Sequence, residues 1–130
     1  MVLLMKENHR KLLKEKAQGA SMNKEIRKKI LDNKDDLIEG AFCYSLFEDS
    51  FFDEEQLILL IKDAETFFKA NGSDPEVEYV LLWMVPCVDQ CFKSHHDNSD
   101  YYKIKNYKKS FEDEWVSNWK GRILKIVNGK

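Results

Sequence analysis

A chain of 130 residues, 43% hydrophobic and 34% charged, has the size of one domain with a real core, and its sixteen aromatics exclude a wholly disordered polymer. The net charge of −2 argues against a dedicated nucleic-acid binder, and no run of about 18 uncharged apolar residues predicts a membrane span. That small net charge hides a segregation along the chain. Residues 31–100 carry seventeen acids and four bases, residues 1–30 nine bases and three acids, and residues 101–130 eight bases and three acids.

Residues 1–21 read as a basic N-terminal segment or helix, with Leu3, Leu4, Leu12 and Leu13 as a broken apolar face. Val2-Leu3-Leu4-Met5 is too short for a secretory core, and its charges follow it rather than precede it. Residues 22–130 read as a single helical domain. Ile26, Ile30, Leu31, Leu37 and Ile38 predict a helix over about 22–39, with Gly40 as its stop and Asn33-Lys34-Asp35-Asp36 as a point of interruption. Ala41 to Phe47 suits either a helical turn or a short strand.

Asp53 is placed to cap the next helix, with Gln56 three residues on as in a capping box. Leu57, Ile58, Leu60, Ile61, Ala64, Phe67 and Phe68 then recur at helical spacing, and Asn71-Gly72 ends the run. Asp74-Pro75 opens a further helix with proline at its first position. Val77, Val80, Leu81, Met84, Val88, Cys91 and Phe92 form one face, while Leu82, Trp83 and Val85 make the other side apolar too, which predicts a central helix. Pro86 should kink or divide it near Val85. Residues 93–109 read as a polar loop. Ser110 is expected to cap the last helix, whose stripe is Phe111, Trp115, Val116, Trp119, Ile123, Leu124, Ile126 and Val127. No alternating strand pattern occurs. The expected fold is all-α, a compact bundle of four to five helices with a kinked central helix.

No catalytic signature stands out. Cys87, Cys91 and His95 are spaced four and four, so helical geometry offers them to one metal. Only one such cluster exists, and the plainer reading is two core thiols followed by a solvated loop. Three cysteines without a secretory signal suit reduced thiols in a cytoplasm. Glycines are scattered at helix stops, with no phosphate cradle. The chain therefore reads as a non-enzyme with no metal and no cofactor. Acids mixed with aromatics, densest from Phe47 to Glu55, instead suit a surface that receives a basic partner.

One order of features carries a family resemblance. Phe51-Phe52-Asp53-Glu54-Glu55-Gln56-Leu57 is followed by Ser73-Asp74-Pro75-Glu76, then Ser94-His95-His96, then Asp100-Tyr101-Tyr102. Over residues 50–107 this resembles the colicin-type immunity proteins, small acidic helical proteins that bind and block a bacterial nuclease toxin. It also resembles the immunity proteins of contact-dependent inhibition and other polymorphic toxin systems. The Leu-Ile before the family's tyrosines and the proline after them are missing here. The resemblance implies a cytoplasmic, monomeric or weakly dimeric protein that neutralises a cognate toxin with a basic surface. It puts partner contacts on Tyr101, Tyr102, Asp97, Asp100, Glu54 and Glu55; the residues themselves add Asp53 and, as a further aromatic anchor, Phe51 or Phe52. The alternative is a helical adaptor that meets nucleic acid or a protein through Lys6, Arg10, Lys11, Lys14, Arg27, Lys28 and Lys29.

Overall fold

The computed structural model describes residues 23–34 and 38–129. Among these, every regular element is helical, and together they form an all-α bundle. The basic segment expected over residues 1–21 lies outside the described residues.

The first helix, α1, covers 23–31 and tightens into a 3₁₀ turn at Asp32–Lys34, well short of the expected end at 39. Asn33 is the reason. Its buried amide nitrogen donates to the carbonyls of Lys29 (3.1 Å) and Ile30 (3.2 Å), closing α1. Its Oδ1 accepts the Cys43 backbone N–H at 3.0 Å, so the same side chain ties α1 to the next helix. Gly40, with φ at 89°, supplies the left-handed residue that turns the chain between them.

The apolar segment left open between helix and strand is helix α2, Phe42–Phe47, which buries Phe42, Cys43 and Leu46. Helix α3, Glu54–Asn71, starts as expected: Asp53 accepts the Gln56 N–H at 3.1 Å. It stops at Gly72, whose φ of 72° suits glycine. Asp74 caps helix α4, Pro75–His96, by accepting the N–H groups of Glu76 and Val77.

Helix α4 refines the expectation at its proline, in its cover and at its end. Of the kink or division expected at Pro86, the division does not occur: the helix runs through Pro86, which lies on its exposed side, where water can serve the carbonyl that proline leaves without a donor. Nor is it covered all round. Val77, Val80, Leu81, Met84, Val85, Val88, Cys91 and Phe92 are buried, yet Tyr79 is 58% and Leu82 44% exposed. The helix also continues to His96, and Lys93, His95 and His96 place basic groups in its last turn. The loop is therefore 97–108.

The last helix begins at Lys109, not after Ser110. Lys108 occupies the cap position and gives no side-chain bond. The first turn is held instead through Glu112, whose Oε1 accepts the Tyr107 hydroxyl at 2.6 Å and lies 2.7 Å from His96 Nε2. Helix α5, Lys109–Glu114, passes through a π-helical turn at Trp115–Trp119 into helix α6, Lys120–Asn128. The buried residues Phe111, Trp115, Trp119, Ile123 and Val127 explain that turn. They recur every fourth residue, and each such step overshoots an α-helical turn by about 40°. One wider turn absorbs much of that drift and keeps both tryptophans on the core side.

Phe52 is the hub of that core. It is 1% exposed, stacks on Phe111 with ring centroids 4.7 Å apart, and also meets Phe42, Phe92 and Trp119. The link between α2 and α3, α4, and the last helix thus converge on one ring.

Candidate protein-binding surface

The acidic segment after α2 is shaped by three ties. The Phe51 N–H reaches back to the Ser45 carbonyl (2.9 Å). Ser50 takes a positive φ of 56°, and its carbonyl accepts the Lys105 N–H at 2.7 Å. Asn106 pairs with both backbone groups of Phe52: its Oδ1 accepts the N–H (2.7 Å) and its Nδ2 donates to the carbonyl (2.8 Å). This clamp points Phe52 into the core and leaves Phe51 46% exposed. Glu48, Asp49, Glu54 and Glu55 surround it in sequence and are all exposed. Tyr44 senses the acids on one side: its hydroxyl pKa is raised, first by burial and then by Glu39, Asp49 and Glu48.

The loop after α4 lies against this segment. Asp97 Oδ1 accepts the N–H and hydroxyl of Ser99, which holds its carboxyl below the ordinary range. Asp100 Oδ1 accepts the Tyr102 N–H at 2.9 Å. Lys103 closes the turn by donating to the carbonyls of Ser94, Asp97 and Asp100. The adjacent tyrosines part ways. Tyr101 is fully exposed, whereas Tyr102 packs against the core and donates its hydroxyl to the Leu46 carbonyl. Of the eight residues singled out as partner contacts, Phe51, Glu54, Glu55, Asp97 and Tyr101 are exposed; Asp53, Asp100 and Tyr102 are partly buried. Asp53 and Asp100 also hold backbone N–H groups. Tyr102 at Leu46, with Lys105 and Asn106 at Ser50 and Phe52, brings the loop and the acidic segment side by side.

Folding brings the segregated charge blocks together. Arg27 of the basic start binds Asp74 (2.8 Å) and Glu76 (3.0 Å). Arg122 and Lys120 of the basic end bind Glu65 (2.6 Å) and Asp89 (2.8 Å). Glu48, Asp49, Glu54 and Glu55 have no such pair among the described residues. For the basic segment the outcome is the reverse. Arg27 is taken up by Asp74 and Glu76, and Lys28 lies 3.2 Å from Asp32, leaving Lys24 and Lys29 as its described bases outside an ion pair. Lys6, Arg10, Lys11 and Lys14 lie outside the described residues.

Cys43 and Cys91 are core thiols, Cys87 is partly buried, and His95 and His96 have structural partners. Cys43 is fully buried and Cys91 nearly so; burial pushes Cys91 up to about 11, away from thiolate chemistry. His95 accepts the Ile104 N–H on Nδ1 at 3.0 Å and stacks on Tyr107 at 4.1 Å. Burial, then His96 and Lys103, lower its pKa and keep the ring neutral. Among the described residues no group of three or more His, Cys, Asp or Glu is placed to hold a metal. None of the helices searched is long and apolar enough to cross a membrane.

The sequence reading missed the outer side of α4, where Tyr79, Leu82 and Pro86 are exposed. Their spacing of three and four was legible, but buried neighbours on every side masked it. No family model, curated protein or solved structure matches this chain. Fold and surface together define a small helical protein with an acidic, aromatic-bearing face.

Proposed function

We propose that this chain is an immunity protein that binds and neutralises a cognate bacterial protein toxin, a nuclease with a basic surface, in the cytoplasm. The observation that carries the reading is the selective neutralisation of charge. Terminal bases pair with Glu65, Asp74, Glu76 and Asp89, while Glu48, Asp49, Glu54 and Glu55 are left without ion pairs around an exposed Phe51. Exposed acids of this kind steer a basic partner and raise its association rate at low salt. Phe51 and Tyr101 supply aromatic area for the buried centre of an interface. The loop clamp at Asn106 and Lys105 holds the two regions in one arrangement before binding, which lowers the ordering cost.

The test is direct binding to the C-terminal domain of any toxin encoded beside this gene. Submicromolar affinity is expected, with an association rate that falls as salt rises. Phe51→Ala should cost roughly 2–4 kcal/mol of binding if it is a central anchor. Failure of every adjacent toxin domain to bind below micromolar concentration would remove the proposal.

A further inference from the structure

A second surface stands apart from the acidic segment. Tyr79, Leu82, Trp83 and Pro86 occupy positions i, i+3, i+4 and i+7 of α4, which makes them one stripe. Tyr79 and Leu82 are 58% and 44% exposed, Pro86 is exposed and Trp83 is partly so. Apolar side chains usually lie on the covered side of a helix, so an open stripe of four on one helix face is a candidate interaction surface.

The stripe already holds a cation. Lys34 Nζ lies 4.8 Å from the Trp83 ring centroid and 5.4 Å from that of Tyr79. Two aromatic rings thus flank one ammonium group. Phe47 packs edge-on against Trp83 at 5.8 Å and braces it. Close to the stripe in sequence the charges are acidic: Glu76 and Glu78 stand in the first turn of α4, and Glu48 and Asp49 directly follow Phe47. From Pro75 to Gln90, α4 carries no base at all. Arg27 reaches Glu76 from the helix start.

We propose that this aromatic stripe is a docking surface for a basic protein segment, whose arginine or lysine takes the place over Tyr79 and Trp83 that Lys34 holds. An arginine suits the site best, because its planar, weakly hydrated guanidinium stacks on aromatic faces. The exposed Leu82 and Pro86 then cover an apolar residue beside that cation. Lys34 is a built-in competitor: it shields the rings from water when the partner is absent and yields to a better-fitting cation. The inference rests on the reading of a basic protein partner, but it places the anchor on α4 rather than on Phe51.

The test pans a phage-displayed library of random 12-residue peptides against the full chain and measures the affinity of the selected peptides. Arginine- or lysine-rich peptides with a neighbouring apolar residue are expected. Tyr79→Ala with Leu82→Asn should weaken them at least tenfold, with the helical circular dichroism unchanged. Lys34→Ala should tighten them about threefold, an effect that a purely structural lysine would not produce. Unchanged affinity in the α4 variant, or weakening in Lys34→Ala, would overturn the inference. Loss of binding only in Phe51→Ala or Glu54→Lys/Glu55→Lys would overturn it and leave the proposed function standing. Selected peptides without basic enrichment would count against both. A dimer in sedimentation that the α4 variant dissociates would assign the stripe to a second copy. A rise in peptide affinity on Leu12→Glu/Leu13→Glu would assign it to the chain's own start.

Discussion

Two adjacent phenylalanines offer the sharpest test of the architecture. Phe52 is 1% exposed and joins four other aromatic rings, whereas Phe51 is 46% exposed. Phe52→Ala removes a ring that three parts of the chain share, and four aromatic neighbours lose their contact with it at once. Buried Phe→Ala changes cost about 3–5 kcal/mol, and a hub position belongs in the upper half of that range. Domains of this size are stable by roughly 5–15 kcal/mol, so the variant should lose about a quarter of its stability or more. With a urea slope of about 2 kcal/mol per molar, the midpoint should fall by about 2 M. Phe51→Ala should shift stability by no more than about 0.5 kcal/mol. Urea unfolding of both variants, followed by circular dichroism, makes the comparison. Equal losses, or a loss below about 1.5 kcal/mol for Phe52→Ala, would refute the inward orientation set by the Asn106 clamp.

Further outcomes follow from individual contacts. Asp74→Ala should destabilise by about 1 kcal/mol because it removes the α4 cap, whereas Ser110→Ala should be nearly neutral; thermal melts of the two variants check this. Asp89 accepts the indole N–H of the fully buried Trp115 at 2.8 Å, so Asp89→Ala should cost about 1–3 kcal/mol in chemical denaturation and Asp89→Asn much less. The pKa of His95 is depressed in the fold, so its contribution to stability is present above 6.5 and is lost as pH falls below that value. A melting temperature that drops between pH 7 and pH 5, with a flatter profile in His95→Gln, is the expected result. Glu54→Lys/Glu55→Lys should slow association with a basic toxin domain by tenfold or more at low salt while leaving dissociation nearly unchanged, as read by stopped-flow mixing.

How much was legible in the sequence depended on how local the physics was. Asp53 and Asp74 announced their helices because a cap acts within three residues, and Gly72 announced a stop because a positive φ favours glycine. Ser110 misled for the same reason in reverse. It is a good capping residue, but Tyr107 and His96 reach Glu112 and start the helix earlier, and His96 comes from another helix. Asn33 lay inside the segment read as an interruption. Its link to Cys43, ten residues away, could not be foreseen.

The candidate surface divides along the same line. Composition and spacing by themselves determined an all-α chain with an acidic middle rich in aromatics, because helix periodicity and charge are properties of neighbours in sequence. Only the tertiary structure decided which acids the terminal bases neutralise, which member of Phe51/Phe52 and of Tyr101/Tyr102 turns inward, and that one side of α4 stays open. Those outcomes depend on contacts between residues dozens of positions apart, such as Asn106 with Phe52 and Arg122 with Glu65. A side chain's exposure is set by whatever packs beside it, and a linear pattern does not contain that neighbour.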